Sequence, residues 1–281
     1  LACGVRVGQW ARGTFYLESH IIGDPTLRFE NAESVGGFNE AMTLRARDDK
    51  YRLNTLRKSD YPDIQAYALR SLSENRYRDI VPLLVSTFRE SPYGTVRMEC
   101  LKLLSAKHAP EFVELLPVAL KDDYELVRRM AANYMGRCGD DALIAADVEA
   151  VVNAYISNRV TYHTTDALTL FDPDKTAAEI SRRFAAQPEA AFGESNEAAY
   201  LDRVERGEKS LQRDIEYIFD TANPQKRRLS EIKSFRNYHY HRAVPQIIRF
   251  AEDVSQDEEL RTAAVEALGW FGLSYQRPLI E

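Results

Sequence analysis

The chain has 281 residues, a formal net charge of −6 and 44% hydrophobic residues, which is typical of a globular protein and too apolar for a disordered one. Its 13 glycines and 11 prolines are few for this length, which disfavours a loop-rich or all-β fold. No apolar run approaches the roughly 18 residues that a membrane span needs. The acidic balance disfavours nucleic acid as a general partner.

The first predicted element is a β-strand over residues 14–22, which are β-branched and aromatic and end at the turn signal Gly23-Asp24-Pro25. A lone strand is marginal in water, and the following sequence supplies no second one. We therefore expect its sheet to lie in an upstream domain. In this chain the strand is expected to lie against the first helix pair or against a second copy, as a dimer contact, and the alternative is a disordered tail.

The segments Gly4–Trp10 and Ile21–Phe29 resemble the C-terminal end of gingipain-type (caspase-like) cysteine peptidase domains, where a last strand ends in G-D-P-x-L. The resemblance implies that residues 1–35 are the remnant of an upstream peptidase-like domain plus a linker, followed by a helical domain over 36–281. It also implies a bacterial, extracytoplasmic protein, either periplasmic or secreted. The family's catalytic His and Cys lie upstream of this segment, and Cys3 has no His near it in sequence, so neither maps onto this chain.

From about residue 49 the sequence repeats with a period of about 33 residues. Apolar anchors that begin the second helix of a pair recur in phase at Ile64, Val96, Val127, Val160 and Leu260. Most are followed by an Arg and then by small residues four and five positions on, which lie on one helical face and let a neighbouring helix approach closely. Such pairs cannot bury their apolar faces alone, so the period predicts a stacked array.

The predicted helix pairs cover 49–58 with 62–74, 77–89 with 93–106, 109–121 with 123–137, 141–157 with 160–171, 175–186 with 196–206, 209–220 with 224–237, and 241–253 with 257–271. Prolines are expected in the first turns of the leading helices, at Pro82, Pro117 and Pro245. We expect Gly207 to end one helix in a left-handed conformation. Asp172 and Asn223, each before a proline, are predicted N-caps.

The D-x-x-(V/L)-R-x-x-A pattern at Asp257–Ala264, and the related run ending in Val127-Arg128, resemble HEAT repeats. The resemblance covers roughly residues 49–271. It implies an all-α fold, a right-handed α-solenoid of about seven helix pairs. It also implies that the repeat arginines Arg97, Arg128 and Arg261 bond an Asp of the same or the next repeat. The implied function is a non-catalytic scaffold that binds a protein or peptide partner.

One strongly basic segment is the candidate binding site. Between residues 226 and 242, six basic side chains oppose only Glu231, and tyrosines are interleaved. The candidate partner-binding residues are Lys226, Arg227, Arg228, Lys233, Arg236, Tyr238, Tyr240 and Arg242. The alternative is a solvated helix face whose charges pair with acids of the next repeat, namely Glu252, Asp253, Asp257, Glu258 and Glu259.

No catalytic, metal-binding or cofactor-binding pattern is found. His239 and His241 are two residues apart without a third ligand at a readable spacing, and Cys100 occupies a small-residue helix position expected to be buried. Two functions other than the scaffold remain open. The chain is either an accessory or substrate-recognition module of a larger gingipain-like cysteine peptidase, or it binds an anion or nucleic acid through residues 226–242.

Overall fold

The computed structural model describes residues 48–152, 157–186 and 194–281, together with residues 6, 7, 24 and 26. Within these ranges all regular structure is helical and no strand occurs, which confirms the predicted all-α class. The predicted strand over 14–22, its dimer contact, the peptidase-like remnant, Cys3 and the domain boundary near residue 35 lie outside the described residues. At the predicted turn, the Asp24 carboxylate accepts hydrogen bonds from the Thr26 N–H and hydroxyl, both at 2.7 Å.

Fourteen α-helices are formed by the described residues. They are α1 (Asp49–Lys58), α2 (Pro62–Glu74), α3 (Ile80–Glu90), α4 (Gly94–Lys107), α5 (Pro110–Ala119), α6 (Glu125–Cys138), α7 (Ile144–Val152), α8 (Asn158–Ala167), α9 (Pro173–Ala186), α10 (Glu194–Phe219), α11 (Gln225–Ser234), α12 (Val244–Glu252), α13 (Glu258–Leu268) and α14 (Arg277–Ile280). Short 3-10 helices lie at Asp141–Leu143, His241–Ala243 and Gly269–Phe271. The first six helices begin and end within three residues of the predicted bounds.

The chain divides into two compact units, Leu1–Leu84 and Val85–Glu281. In the first unit α1 packs against α2. The buried Arg52 lies between them and donates from Nε to the Ser71 hydroxyl at 2.5 Å. Asp48 caps α1 by accepting from the Tyr51 N–H, and α2 begins at Pro62, a position where a missing N–H costs nothing.

In the second unit, the second helices of successive pairs pack side by side in the order α4, α6, α8, while α5 packs on α6, α7 on α8 and α9 on α7. The small residues of the repeat lie at these contacts. Ala131 and Ala132 are fully buried, and a Cβ placed on Gly136 would lie 3.3 Å from the Cβ of Ala167 in α8. Ala264 of α13 is equally buried. The 33-residue pattern of apolar anchors and small residues, called the repeat frame below, therefore identifies the close helix contacts.

This close packing gives a direct test of the frame. Ala131→Leu is expected to lower the free energy of unfolding by about 1–3 kcal/mol, because its neighbours leave no room for three more carbons. The exposed Lys121→Ala is expected to stay within about 0.5 kcal/mol of the parent. Urea denaturation followed by circular dichroism measures both. Equal midpoints for Ala131→Leu and the parent would show that Ala131 does not lie at a tight contact.

The repeat arginines bond the turn between the two helices of a pair, but only one reaches an Asp carboxylate. Arg97 donates to both oxygens of Asp122 in the next repeat, at 2.6 and 2.7 Å, and also bonds Asp123. Arg128 also bonds an Asp of its own repeat, as predicted, but through the backbone: it donates to the carbonyl of Asp122 at 2.6 Å. The prediction is wrong for Arg261, which donates to the carbonyl of Ala251 at 2.8 Å. Arg261 thus satisfies a carbonyl in the last turn of α12, whereas the Asp122 carbonyl bonded by Arg128 lies in the turn after α5.

Gly207 does not separate two helices. It lies inside the 26-residue helix α10, which replaces the predicted helices 196–206 and 209–220. A Cβ on Gly207 would lie 2.8 Å from the Cβ of Thr169, so the glycine provides space for the segment after α8. The predicted fifth and sixth pairs therefore share one long helix.

The predicted helix starts are only partly correct. Asp172 caps α9 as predicted, accepting from the Lys175 N–H at 3.0 Å. Asn223 does not cap α11, because its side chain instead donates to the carbonyl of Tyr217 at 3.1 Å. Pro117 lies near the end of α5, which begins at Pro110.

The C-terminal part of the second unit also packs against helices far from it in sequence. His241 bonds the carbonyl of Gly136 at 2.8 Å, and the Tyr275 N–H donates to the carbonyl of Cys138 at 3.0 Å. A Cβ on Gly139 would lie 1.8 Å from the His241 ring. The predicted in-line order has each pair contacting only its neighbours, so this contact between the last pair and α6 departs from it.

Candidate functional site

The eight predicted partner-binding residues do not form one surface. They lie on α11 and on the segment between α11 and α12, and the structure divides them into exposed and internal side chains. The cations exposed to solvent are Lys226, Arg227, Lys233 and Arg236. The other two, Arg228 and Arg242, are bonded inside the fold.

Arg228 is a structural residue. Its side chain is buried, with 6% of the residue exposed, and it donates from Nε to the carbonyl of Ile218 at 2.8 Å. It also bonds the side-chain oxygen of Gln256 at 2.5 Å, and its guanidinium lies 5.7 Å from the centre of the Phe250 ring. Because all these partners are internal, the prediction that Arg228 binds a ligand is wrong.

The Arg242 side chain also bonds groups inside the fold. It forms an ion pair with Glu208 of α10 at 2.8 Å. It also donates to the carbonyls of Thr169 and Leu170, at 3.3 and 3.2 Å, and to that of Phe171. These carbonyls follow the end of α8, where a cation is favourable to the helix dipole. Arg242 therefore joins α10 and the end of α8 and is not available to a partner, which corrects the sequence assignment.

The two tyrosines form a stacked pair. The rings of Tyr238 and Tyr240 lie 6.3 Å apart with an interplanar angle of 21°. Tyr238 is 59% exposed, whereas Tyr240 is half-buried, and burial raises the pKa of Tyr240. The hydroxyl groups of both rings can donate hydrogen bonds.

An open groove of about 800 Å³ lies between α10 and α11. The sequence-predicted Arg227, Tyr238 and Tyr240 line one side. The residues that sequence analysis missed are Ser210, Arg213, Asp214, Tyr217, Ser230, Glu231 and Ser234. The missed residues of α10 share a face at spacings of three and four, a pattern that was readable once α10 was known to be one helix. Arg213 forms an ion pair with its neighbour Asp214 at 3.1 Å. Arg227, on the other side of the groove, forms no ion pair with the described residues.

The acids proposed to neutralise the basic segment do not pair with it within the described ranges. Asp257 accepts from the Glu259 N–H and caps α13, and Asp253 accepts from Ser255 and Gln256. The ion pair that the segment does form joins Arg242 to Glu208. The exposed cations of α11 are thus solvated, and their charge is available to a binding partner.

Two histidines and two cysteines of the described residues lie buried inside the fold: His239, His241, Cys100 and Cys138. His239 bonds the carbonyl of Trp270 at 3.1 Å, and His241 is fully buried. In the part of the chain that the structure describes, no cluster of three or more His, Cys, Asp or Glu residues could hold a metal ion. Cys100 and Cys138 are free and buried; burial raises the pKa of both thiols, that of Cys138 to about 12. Neither is therefore a thiolate at neutral pH.

No protein-family model matches this chain, and no curated protein matches it. Within the described ranges, none of the helices combines the length and the hydropathy that crossing a bilayer requires.

Proposed function

We propose that the chain is a non-catalytic, HEAT-like repeat scaffold, and that the α10–α11 groove binds an extended acidic segment of a protein partner. The observation that carries the proposal is an open groove that combines Arg227, which forms no ion pair within the described residues, with a stacked tyrosine pair of which Tyr238 is exposed. Tyrosine and arginine are the side chains that most often dominate binding energy at protein interfaces.

Charge favours an acidic partner. Inside the groove Arg213 and Arg227 balance Asp214 and Glu231, so the surplus comes from Lys226 and Lys233 on the adjoining exposed face of α11. These lysines form no ion pair within the described residues. An extended acidic segment would gain from this positive potential without displacing an existing salt bridge. The serine and tyrosine hydroxyls of the groove supply hydrogen bonds to its backbone.

Binding of a fluorescein-labelled Glu-Tyr repeat peptide, about 12 residues long and followed by anisotropy, tests the proposal. Tyr238→Ala is expected to weaken binding about tenfold and Arg227→Glu about fivefold. Arg206→Glu is the matched control: it makes the same charge change at an exposed residue of α10 that does not line the groove. Its affinity is expected to stay within about twofold of the parent.

Two further ligands separate the proposal from its rivals. A Lys-Tyr peptide of the same length is expected to bind more weakly, as is a labelled single-stranded oligonucleotide. Tighter binding of the oligonucleotide would favour the nucleic-acid alternative, and equal losses in Arg227→Glu and Arg206→Glu would show that only net charge matters. Either result contradicts a specific groove.

A further inference from the structure

A second pocket, of about 500 Å³, lies where the segment after α11 meets α6 and α8. Its polar and aromatic lining comprises Asn133, Arg137, His163, Asp166, Arg236, Asn237, His239 and Trp270. It shares no lining residue with the α10–α11 groove. Arg236, assigned from the sequence to the basic binding surface, belongs to this pocket instead.

The pocket carries positive charge that the described residues do not neutralise. Arg137 and Arg236 line it and form no ion pair or side-chain hydrogen bond within the described ranges. The acid in the lining is Asp166, whose charge is already matched by Arg203 at 2.5 Å. Two guanidinium groups thus lie in one pocket of a chain that is acidic overall.

A third arginine, Arg129, is not part of the lining but lies on the same helix as Asn133 and Arg137. Arg129 lies one turn before Asn133 on the same face of α6, and is only 7% exposed. Its Nη2 has no hydrogen-bond partner in the described part of the chain. Burial, with the charge of Arg129 added, lowers the pKa of His163; burial and Arg137 do the same to His239. An uncompensated buried cation is costly, and a bound anion would offset that cost.

We infer that this pocket binds a small phosphomonoester, with Arg137 and Arg236 holding its phosphate. The planar guanidinium fork matches phosphate oxygens in a bidentate arrangement, and the amides of Asn133 and Asn237 supply uncharged donors. Trp270, which is 54% exposed at the pocket, offers a flat apolar surface for the organic part of the ligand. The volume lies within the range of small-molecule sites.

Calorimetric titration of the whole chain with phenyl phosphate and with inorganic phosphate, at fixed ionic strength, tests the site. Phenyl phosphate is expected to bind saturably and more tightly than inorganic phosphate. Arg137→Gln and Arg236→Gln are each expected to weaken both anions at least about tenfold, since each removes a charge-assisted contact. Trp270→Ala is expected to abolish the preference for phenyl phosphate.

Lys226→Gln is the matched control, because Lys226 is an exposed cation of α11 that lines neither pocket. Its affinity for both anions is expected to equal that of the parent. The Arg236 side chain is exposed and forms no hydrogen bond or ion pair with the described residues, so Arg236→Gln should fold even if Arg137→Gln lowers stability. Unsaturable heats, or equal affinities for parent and Arg236→Gln, would overturn the site. Equal affinities of the parent for the two anions would overturn the phosphomonoester assignment.

Discussion

Gly139→Ala is expected to lower the free energy of unfolding by at least about 3 kcal/mol, although it adds a single methyl group. Gly139 ends α6 with a φ of +59°, and an added Cβ would lie 1.8 Å from Cδ2 of His241. The left-handed backbone alone costs an alanine about 1 kcal/mol. The remainder arises because the His241 ring is hydrogen-bonded at both nitrogens, to Gly136 and Ser274, and cannot move aside without breaking those bonds.

Chemical denaturation followed by circular dichroism measures this loss. Gly269→Ala is the matched control, since Gly269 has a helical φ of −59° and no atom within 4 Å of an added Cβ, and its stability is expected to be equal or slightly higher. In a His241→Ala background the cost of Gly139→Ala should fall to about 1 kcal/mol. An undiminished cost in that background, or equal midpoints for the two glycine variants, would contradict the close approach of Gly139 and His241.

Glycine conformation shows how local sequence signals can mislead. The sequence assigned the left-handed, helix-ending glycine to Gly207, whereas in the described residues the glycine with positive φ is Gly139. Both follow helical sequence, so the local signal is the same. A longer pattern distinguishes them: the buried Val204, Leu211 and Ile218 recur every seven residues across Gly207, as expected of one continuous amphipathic helix.

The basic segment is a second case in which a local sequence signal misleads. Arg228 and Arg261 both donate to a carbonyl ten residues earlier, at the end of the preceding helix, so Arg228 is the structural arginine of its repeat. The repeat frame missed it because the anchor position before it is Arg227 and not an apolar residue. The other charges of the run then make a structural arginine resemble a binding residue. Composition located the cluster of positive charge, and only the burial of each side chain separates its exposed members from its internal ones.

Contacts between distant repeats could not be predicted from the sequence pattern, for a different reason. A periodic frame encodes which neighbouring helices pack, and it predicted Ala131 and Ala264 correctly. It carries no information on contacts between residues such as Gly136 and His241, which lie 105 positions apart. The pocket of Arg137 and Arg236 depends on the same long-range packing, so only the structure brings those arginines together.

Acidification is expected to destabilise the second unit through His241. The Gly136 carbonyl can only accept, so Nε2 of His241 carries the proton and Nδ1 accepts from the Ser274 hydroxyl. Burial, together with the charges of His239 and Arg242, lowers the pKa of His241 from 6.5 to about 4, although the bond to Gly136 opposes this shift. Because the folded pKa lies below the unfolded one, the contribution is complete above pH 6.5. It is lost as the pH falls towards 4, by up to about 3 kcal/mol.

Unfolding free energies measured between pH 7.5 and 4 in the parent and in His241→Gln isolate this effect. His241→Gln is expected to be about 2–3 kcal/mol less stable at pH 7.5, because two buried hydrogen bonds are lost or distorted. Below pH 6.5 its unfolding free energy should depend less steeply on pH, because unfolding of the parent takes up about one more proton than unfolding of His241→Gln.

The lowered pKa values of His108, His163 and His239 act in the same direction in both proteins and cancel in the difference. His108→Gln, which removes an exposed imidazole, should retain the steep dependence. Parallel pH profiles for the parent and His241→Gln would mean that His241 is not the buried, neutral group that joins α6 to the last helix pair.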